Sequence, residues 1–260
     1  METMKSPITI FWFRRDLRLD DNAGLYQVLQ AGKPVLPLFV FDKNILDKLA
    51  NKNDRRVAFI HKTITELNRS LAAFGSSLTV YYDTPENSFR DLISKYNISS
   101  VFTNHDYESY GINRDKAISH LLEEKGISFR SFKDQVIFEK DEVLKDDGNP
   151  YTVFTPYSRK WKLRLSENPI TVYDTQKQFS QLLKTSEQTI PTLESMGFIP
   201  SEGAFPSETA DEEIIRHYSE KRDIPSIHGT TRLGLHLRFG TISIRKLALK
   251  ARALSETYLN

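Results

Sequence analysis

Two stretches of this sequence carry polar side chains at spacings that could grip an anionic ligand. The first, Arg14 to Asn22 (RRDLRLDDN), sets Arg14, Arg15 and Arg18 among Asp16, Asp20 and Asp21. Either the arginines hold a ligand, or they pair with the three carboxylates and only fix the loop. The loop contains no glycine, so the close backbone approach that a GxGxxG turn gives to a pyrophosphate is unavailable, and a nicotinamide dinucleotide is not expected here. The second stretch, Tyr218 to Gly234 (YSEKRDIPSIHGTTRLG), offers hydroxyls, backbone amides and a basic residue, a donor set that suits a pyrophosphate. Taken locally, it favours a Gly-Thr-Thr turn capping a short helix.

Other chemistries are excluded by what the sequence lacks. His61, His105, His120, His217, His228 and His236 show no paired ligand spacing with a third ligand, so no metal site is expected. There is no cysteine, which removes disulfides, thiolate metal sites and cysteine nucleophiles and fits a reducing compartment. No serine nucleophile elbow occurs. A net charge of +2 is the residue of 36 basic and 34 acidic side chains, so any DNA site must come from local patches, for which Arg232, Arg238, Arg245 and Lys246 are candidates. Met1 to Pro7 is short and polar, with no signal-peptide-like apolar stretch, and no segment has the length of a membrane span. A cytoplasmic protein is expected.

The elements that must position these residues are legible from periodicity. Ile8 to Phe13 (ITIFWF) is a short apolar run suited to a strand buried on both faces. Further strands are expected at Val35 to Phe41, Leu78 to Tyr82, Ser100 to Thr103 and Ile127 to Phe132. Between them fall helices at Asn22 to Ala31, Asp54 to Phe74, Pro85 to Tyr96 and Asn113 to Lys125, the second with apolar residues at Val57, Phe59, Ile60, Ile64, Leu67 and Leu71. Five strands alternating with helices predict a doubly wound five-stranded parallel sheet, a Rossmann-like α/β fold, over residues 1–132. Its ligand crevice lies beyond the carboxyl ends of the strands, at the loops after Phe13, Phe41 and Thr103. Residues 133–208 hold most of the prolines and no long periodic segment, which predicts an interdomain connector. Residues 209–260 then read as helical, over Asp211 to Glu220 and Ser243 to Tyr258, the latter striped by Leu247, Ala248, Ala251 and Leu254.

Phe11 to Asn22 (FWFRRDLRLDDN) resembles the opening of the photolyase/cryptochrome family, in which a strand runs into a Trp-Phe-Arg-Arg-Asp-Leu-Arg-Leu stretch and an Asp-Asn pair. Tyr218 to Gly234 is similar to the family's first flavin-binding segment, and His236 to Ser243 (HLRFGTIS) to its continuation. The resemblance implies FAD as cofactor, with Tyr218, Thr230, Thr231, Arg232, Leu233 and Gly234 as its contacts. Gly234 departs from the family's usual serine and loses one hydroxyl. A third segment, Asn104 to Asp115 (NHDYESYGINRD), resembles the loop after the fourth strand, where folate-carrying members have an Asn-Glu pair against the pterin. Here Tyr110 and Gly111 stand in those positions, which argues against a folate antenna and leaves a deazaflavin or flavin antenna in the sheet's crevice, or none. Phe13, Phe39 and Phe41 are candidate lining residues or plain core.

The implied activity is that of a deoxyribodipyrimidine photo-lyase, most like those acting on cyclobutane pyrimidine dimers: reduced FAD, excited by light, donates an electron to a dimer flipped out of UV-damaged DNA. The partner is damaged DNA, with no membrane, and a monomer is expected. Trp12 and Trp161 precede the flavin segment and do not match the family's electron-transfer chain, so no catalytic residue is assigned. The resemblance places those residues in a helical domain beyond Asn260, so the chain is expected to be inactive alone. Two alternatives are a cryptochrome-type photoreceptor and an adenine-nucleotide α/β domain. The second calls for a glycine- and serine-rich loop where the sequence has Arg-Arg-Asp-Leu-Arg.

Overall fold

A run that is apolar at all but one position must be covered on both faces, and Ile8–Phe13 (β1), interrupted only by Thr9, is buried along its whole length in the computed structural model, which describes residues 6–255. Ala23–Leu29 (α1), Val35–Asp42 (β2), Lys43–Leu46 (α2), Arg55–Ala72 (α3), Thr79–Asp83 (β3), Pro85–Lys95 (α4), Ile98–Asn104 (β4), Ser109–Glu123 (α5) and Ser128–Phe132 (β5) follow in order. Local chemistry sets the helix starts. The Asn22 side chain accepts from the Leu25 N–H, Asp54 from Arg56 N–H, and Thr84 from Asn87 N–H with Pro85 in the first turn behind it.

The strands pair in the order β3-β2-β1-β4-β5, every neighbour parallel, which is the expected doubly wound sheet. β2 lies on one side of β1 and β4 on the other, so strand order reverses between β1 and β4, and the crevice of the fold lies at their carboxyl ends. On one face Ile10, Trp12, Leu38, Phe89, Val101 and Ile118 form the centre of a core cluster. Phe13, Phe39 and Phe41 are at most 5% exposed and serve as core.

The chain divides into two compact units, one made of residues up to Asp134 with Asp174–Phe205, the other of Gln135–Tyr173 with residues from Pro206 onward. The stretch expected as a connector is therefore shared between them. Within the first unit, Leu183 N–H donates to the Val35 carbonyl (2.8 Å) and Thr175 Oγ1 to the Leu19 carbonyl (2.6 Å). Phe205 packs on Phe59 and under the Arg55 guanidinium, at centroid distances of 5.1 and 5.3 Å.

The second unit overturns one expectation. Phe154–Glu167 (α6) is a 14-residue helix in a stretch read as lacking periodicity. Only Leu165 of this helix is buried, while Phe154 and Leu163 are exposed, so it carries no apolar stripe to read. Its Pro156 sits in the first turn, where a missing N–H costs nothing. The helix expected at Asp211 to Glu220 forms as Glu212–Arg216 (α7) and Tyr218–Lys221 (α8), divided at His217. Gly234–Phe239 (α9) and Ile244–Leu254 (α10) complete the unit, with the Ser243 side chain accepting from Lys246 N–H. The expected continuation of α10 through Glu256 to Tyr258 lies outside the described residues.

Asp134, which no pattern singled out, ties the first loop to the end of the sheet. Fully buried, it accepts from Arg18 Nη2 through both oxygens (2.8 Å each) and from Ala23 N–H (2.9 Å). Asp134→Ala leaves the Arg18 charge buried without that counter-ion and is expected to destabilise the sheet unit by about 3–5 kcal/mol. Urea unfolding followed by Trp12 emission in a Trp161→Phe background measures this, and a loss below ~1 kcal/mol would contradict the assignment.

Candidate functional site

At the carboxyl ends of β1 and β4 the polar side chains pair with one another. Arg14 contacts Asp115 and the Asn104 carbonyl. Arg15 pairs with Glu108 (2.9 Å), and Arg114 with Asp106 (3.2 Å) and Asp115 (3.0 Å). Asn104 donates to the Asp16 carboxylate and to Asn22 Oδ1, and its own Oδ1 accepts from Gly24 N–H (2.8 Å). The guanidiniums of Arg14 and Arg114 lie 5.0 and 5.1 Å from the Trp12 ring. The arginines of the first loop do form ion pairs, but with carboxylates far along the chain, Arg14 with Asp115, Arg15 with Glu108 and Arg18 with Asp134, where the sequence suggested Asp16, Asp20 and Asp21.

Burial sets the electrostatics of this network. Desolvation, with the charge of Arg114 added, pulls the Arg14 guanidinium below its ordinary pKa, and Asp115 opposes that shift. Asp16 is pushed up by burial and by the charge of Asp134. For Asp106 burial also works against ionisation, but the Glu108 N–H and the charges of Arg114, Arg14 and Arg15 outweigh it and hold the carboxyl below the usual range.

The two positions that depart from the folate pattern have structural work here. Tyr110, in the first turn of α5, donates its hydroxyl to Asp42 at the end of β2. A Cβ at Gly111 would lie 2.3 Å from Asp106 Cγ, so glycine is what lets the Asp106 carboxylate in to meet Arg15 and Arg114. Among the described residues no group of three or more His, Asp or Glu side chains is arranged to hold a metal ion.

The second candidate segment lies in the other unit. A Cβ at Gly229 would lie 2.4 Å from the Lys221 carbonyl oxygen, so this glycine packs the loop against the end of α8, the helix that Tyr218 opens. Tyr218 is half-buried, with the Arg222 guanidinium 5.6 Å from its ring. Thr230 and Arg232 are exposed and Thr231 half-buried, and none of the three makes a hydrogen bond or ion pair with another described residue. Leu233 is instead 3% exposed and packs with Ala210 and Ile215, so it anchors the loop and offers a ligand only its backbone. A Cβ at Gly234 would meet nothing within 4 Å, so glycine there removes a hydroxyl without being needed for space.

The backbone supplies a feature that side-chain spacing did not reveal. Arg232 has a φ of +55°, and Leu233 follows at φ −76°, ψ 1°. A left-handed residue followed by a right-handed one turns successive N–H groups toward one side, a concavity that binds anions. The N–H groups of Arg232 and Leu233 donate to no other described residue. Two hydroxyls, a guanidinium and two backbone N–H groups without described partners thus fall within residues 230–233, donors of the kind that a phosphate group takes. Of the basic candidates, Arg245 is buried under the Tyr173 ring at 5.1 Å, while Arg238 and Lys246 are exposed. His236 is a buried pin, with Nε2 2.9 Å from the Pro206 carbonyl and Nδ1 2.7 Å from Thr241 Oγ1.

Comparison with known proteins decides the family: the DNA photolyase profile matches residues 9–176. The chain belongs to the DNA photolyase family. It is 30% identical to the deoxyribodipyrimidine photo-lyase of a Synechococcus species over 98% of its own length and 56% of that relative's. A crystal structure of a bacterial class III photolyase from Agrobacterium tumefaciens superposes with a TM-score of 0.80 at 26% identity, over 99% of this chain and 56% of that one. A structure of an archaeal photolyase from Sulfolobus tokodaii, solved with two FAD molecules, gives 0.68 at 25% identity, over 95% and 55%. The chain thus spans about half the length of these photolyases.

A left-handed non-glycine residue is strained, and Arg232 gains no described side-chain partner in return. Arg232→Gly is expected to raise stability by about 1 kcal/mol, because the left-handed backbone costs ~1–2 kcal/mol for an L-residue. A thermal melt checks this, and a lower melting temperature would mean that the arginine side chain holds the loop.

Proposed function

We propose that this chain supplies the α/β domain and the first flavin-diphosphate segment of a light-driven DNA repair enzyme, a photolyase that splits cyclobutane pyrimidine dimers with FAD. The single observation that carries the reading is the nest at Arg232 and Leu233, flanked by the hydroxyls of Thr230 and Thr231, which have no partner among the described residues. Tyr218, Thr230, Thr231, Arg232, Leu233 and Gly234 form the candidate diphosphate site. In it the N–H groups of Arg232 and Leu233 and the threonine hydroxyls donate to phosphate oxygens, the Arg232 guanidinium neutralises charge, and Leu233 fixes the loop from below. Bound reduced FAD supplies light-driven electron donation, chemistry that no side chain of this chain performs. Residues 209–260 then form the opening of a helical FAD-binding domain. The name of the Synechococcus relative and the two FAD molecules of the Sulfolobus photolyase support the same reading. We extend it to a monomer acting on UV-damaged DNA in the cytoplasm, a compartment in keeping with the absence of cysteine.

Calorimetric titration with FAD, ADP and FMN tests the site. FAD and ADP, which share the diphosphate, should compete, and FMN should bind more weakly. Thr231→Ala with Arg232→Ala should weaken FAD at least about tenfold, ~1.4 kcal/mol. Equal affinity for FMN and FAD, or no loss in the double variant, would remove the diphosphate assignment.

A further inference from the structure

The loop proposed for the diphosphate runs into a helix too short to hold its own direction. α9 has six residues, opens with no side-chain cap and closes at Gly240, whose φ is +62°. A helix of that length is marginal at best in water, so contacts with the rest of its unit must fix where it points. That direction matters to the loop, because the Leu237 N–H donates to the Leu233 carbonyl (2.9 Å). Leu233, the second residue of the nest, is therefore the N-cap of α9, and a turn of the helix turns the nest with it. Only one side chain of α9 is buried, and it is polar. His236 is 5% exposed, with Nε2 2.9 Å from the Pro206 carbonyl oxygen and Nδ1 2.7 Å from Thr241 Oγ1. A carbonyl only accepts, so Nε2 carries a proton, while Nδ1 faces a hydroxyl that can donate to it. The Thr241 N–H also donates to the His236 carbonyl (3.1 Å), so the two residues hold each other through ring and backbone. A buried leucine here would resist removal but not rotation. Hydrogen bonds are directional, and a ring held at both nitrogens, by atoms 30 residues before it and 5 after it, fixes the helix in rotation as well. We propose that His236 is the positioning residue of the diphosphate loop: it holds α9, and through Leu233 the nest, in the orientation that aims the N–H groups of Arg232 and Leu233 at a phosphate. It acts through Leu233 and not by contact with the ligand. The inference rests on the diphosphate reading and adds to it the group that sets the geometry of the loop.

Calorimetric titration of the 260-residue chain with ADP separates this role from packing. His236→Leu keeps an apolar side chain in place and loses both ring bonds. It should bind ADP at least about tenfold more weakly, with circular dichroism showing that it is folded. His236→Gln, whose amide can still donate to the Pro206 carbonyl, should bind within about twofold of the unaltered chain. Thr241→Val keeps the backbone bond to His236, removes only the hydroxyl, and should bind about fivefold more weakly. A histidine that merely packs would lower the melting temperature of His236→Leu and leave the ADP affinity of the folded variant as it was. That result, or His236→Gln binding as weakly as His236→Leu, would overturn the proposal. Should His236→Leu not fold, Thr241→Val carries the test, and unchanged affinity there would overturn it equally. Failure of the unaltered chain to bind ADP would remove the diphosphate site itself and the positioning role with it, so the two readings fail on different measurements.

Discussion

Guanidiniums and carboxylates that leave water must find each other, and that requirement shapes the business end of the sheet. Arg14, Arg114 and Asp106 are nearly shut off from solvent and Asp115 is partly so, and each has an opposite charge beside it. Losing one partner of such a set leaves a buried charge uncompensated, a penalty larger than most single contacts return. The loop after β1 and the start of α5 are therefore held as one piece, although about ninety residues separate them in the sequence. Trp12 lies against both guanidiniums and carries this arrangement into the core, where it meets Phe89 edge to face.

The second unit solves the opposite problem. At its candidate site the side chains of Thr230, Thr231 and Arg232 have no partner among the described residues, and a strained backbone is kept at Arg232. Strain that nothing local repays is characteristic of a place prepared for a ligand. Leu233 supplies the compensation by burying its side chain beside Ala210 and Ile215, so the loop is anchored at one residue and open at its neighbours. The chain thus neutralises its own charges at the carboxyl ends of β1 and β4, and leaves donors without partners among the described residues at the diphosphate site proposed above.

How much of this was legible in the sequence follows from the range of the forces involved. The strands β1 and β2 read directly, because they are apolar but for Thr9 and Asp42, and the helix starts at Asn22 and Asp54 are set by caps that act within three residues. The candidate contacts at 230–234 came from the family resemblance, since by residue type alone Thr230, Thr231 and Arg232 suit a turn capping a short helix equally well. What did not read was anything decided by distance in space. Asp134 looked like an ordinary connector residue and is the buried partner of Arg18. Tyr110 and Gly111 registered only as departures from a motif, and the reason for them, Asp42 and Asp106, became visible in three dimensions. The left-handed φ of Arg232 has no signature in residue type, because the residues that favour that conformation are glycine and asparagine. α6 escaped because it buries almost nothing.

The measurement that tests the account most directly is the set of backbone amide shifts of the isotopically labelled chain on titration with ADP. If anion binding belongs to the nest, the amides of Thr231 to Gly234 move together and saturate, while those of Arg14 to Asn22 and of Asn104 stay in place. Shifts centred on the loop after β1, with Arg232 and Leu233 unmoved, would contradict it and return the ligand site to the crevice of the sheet.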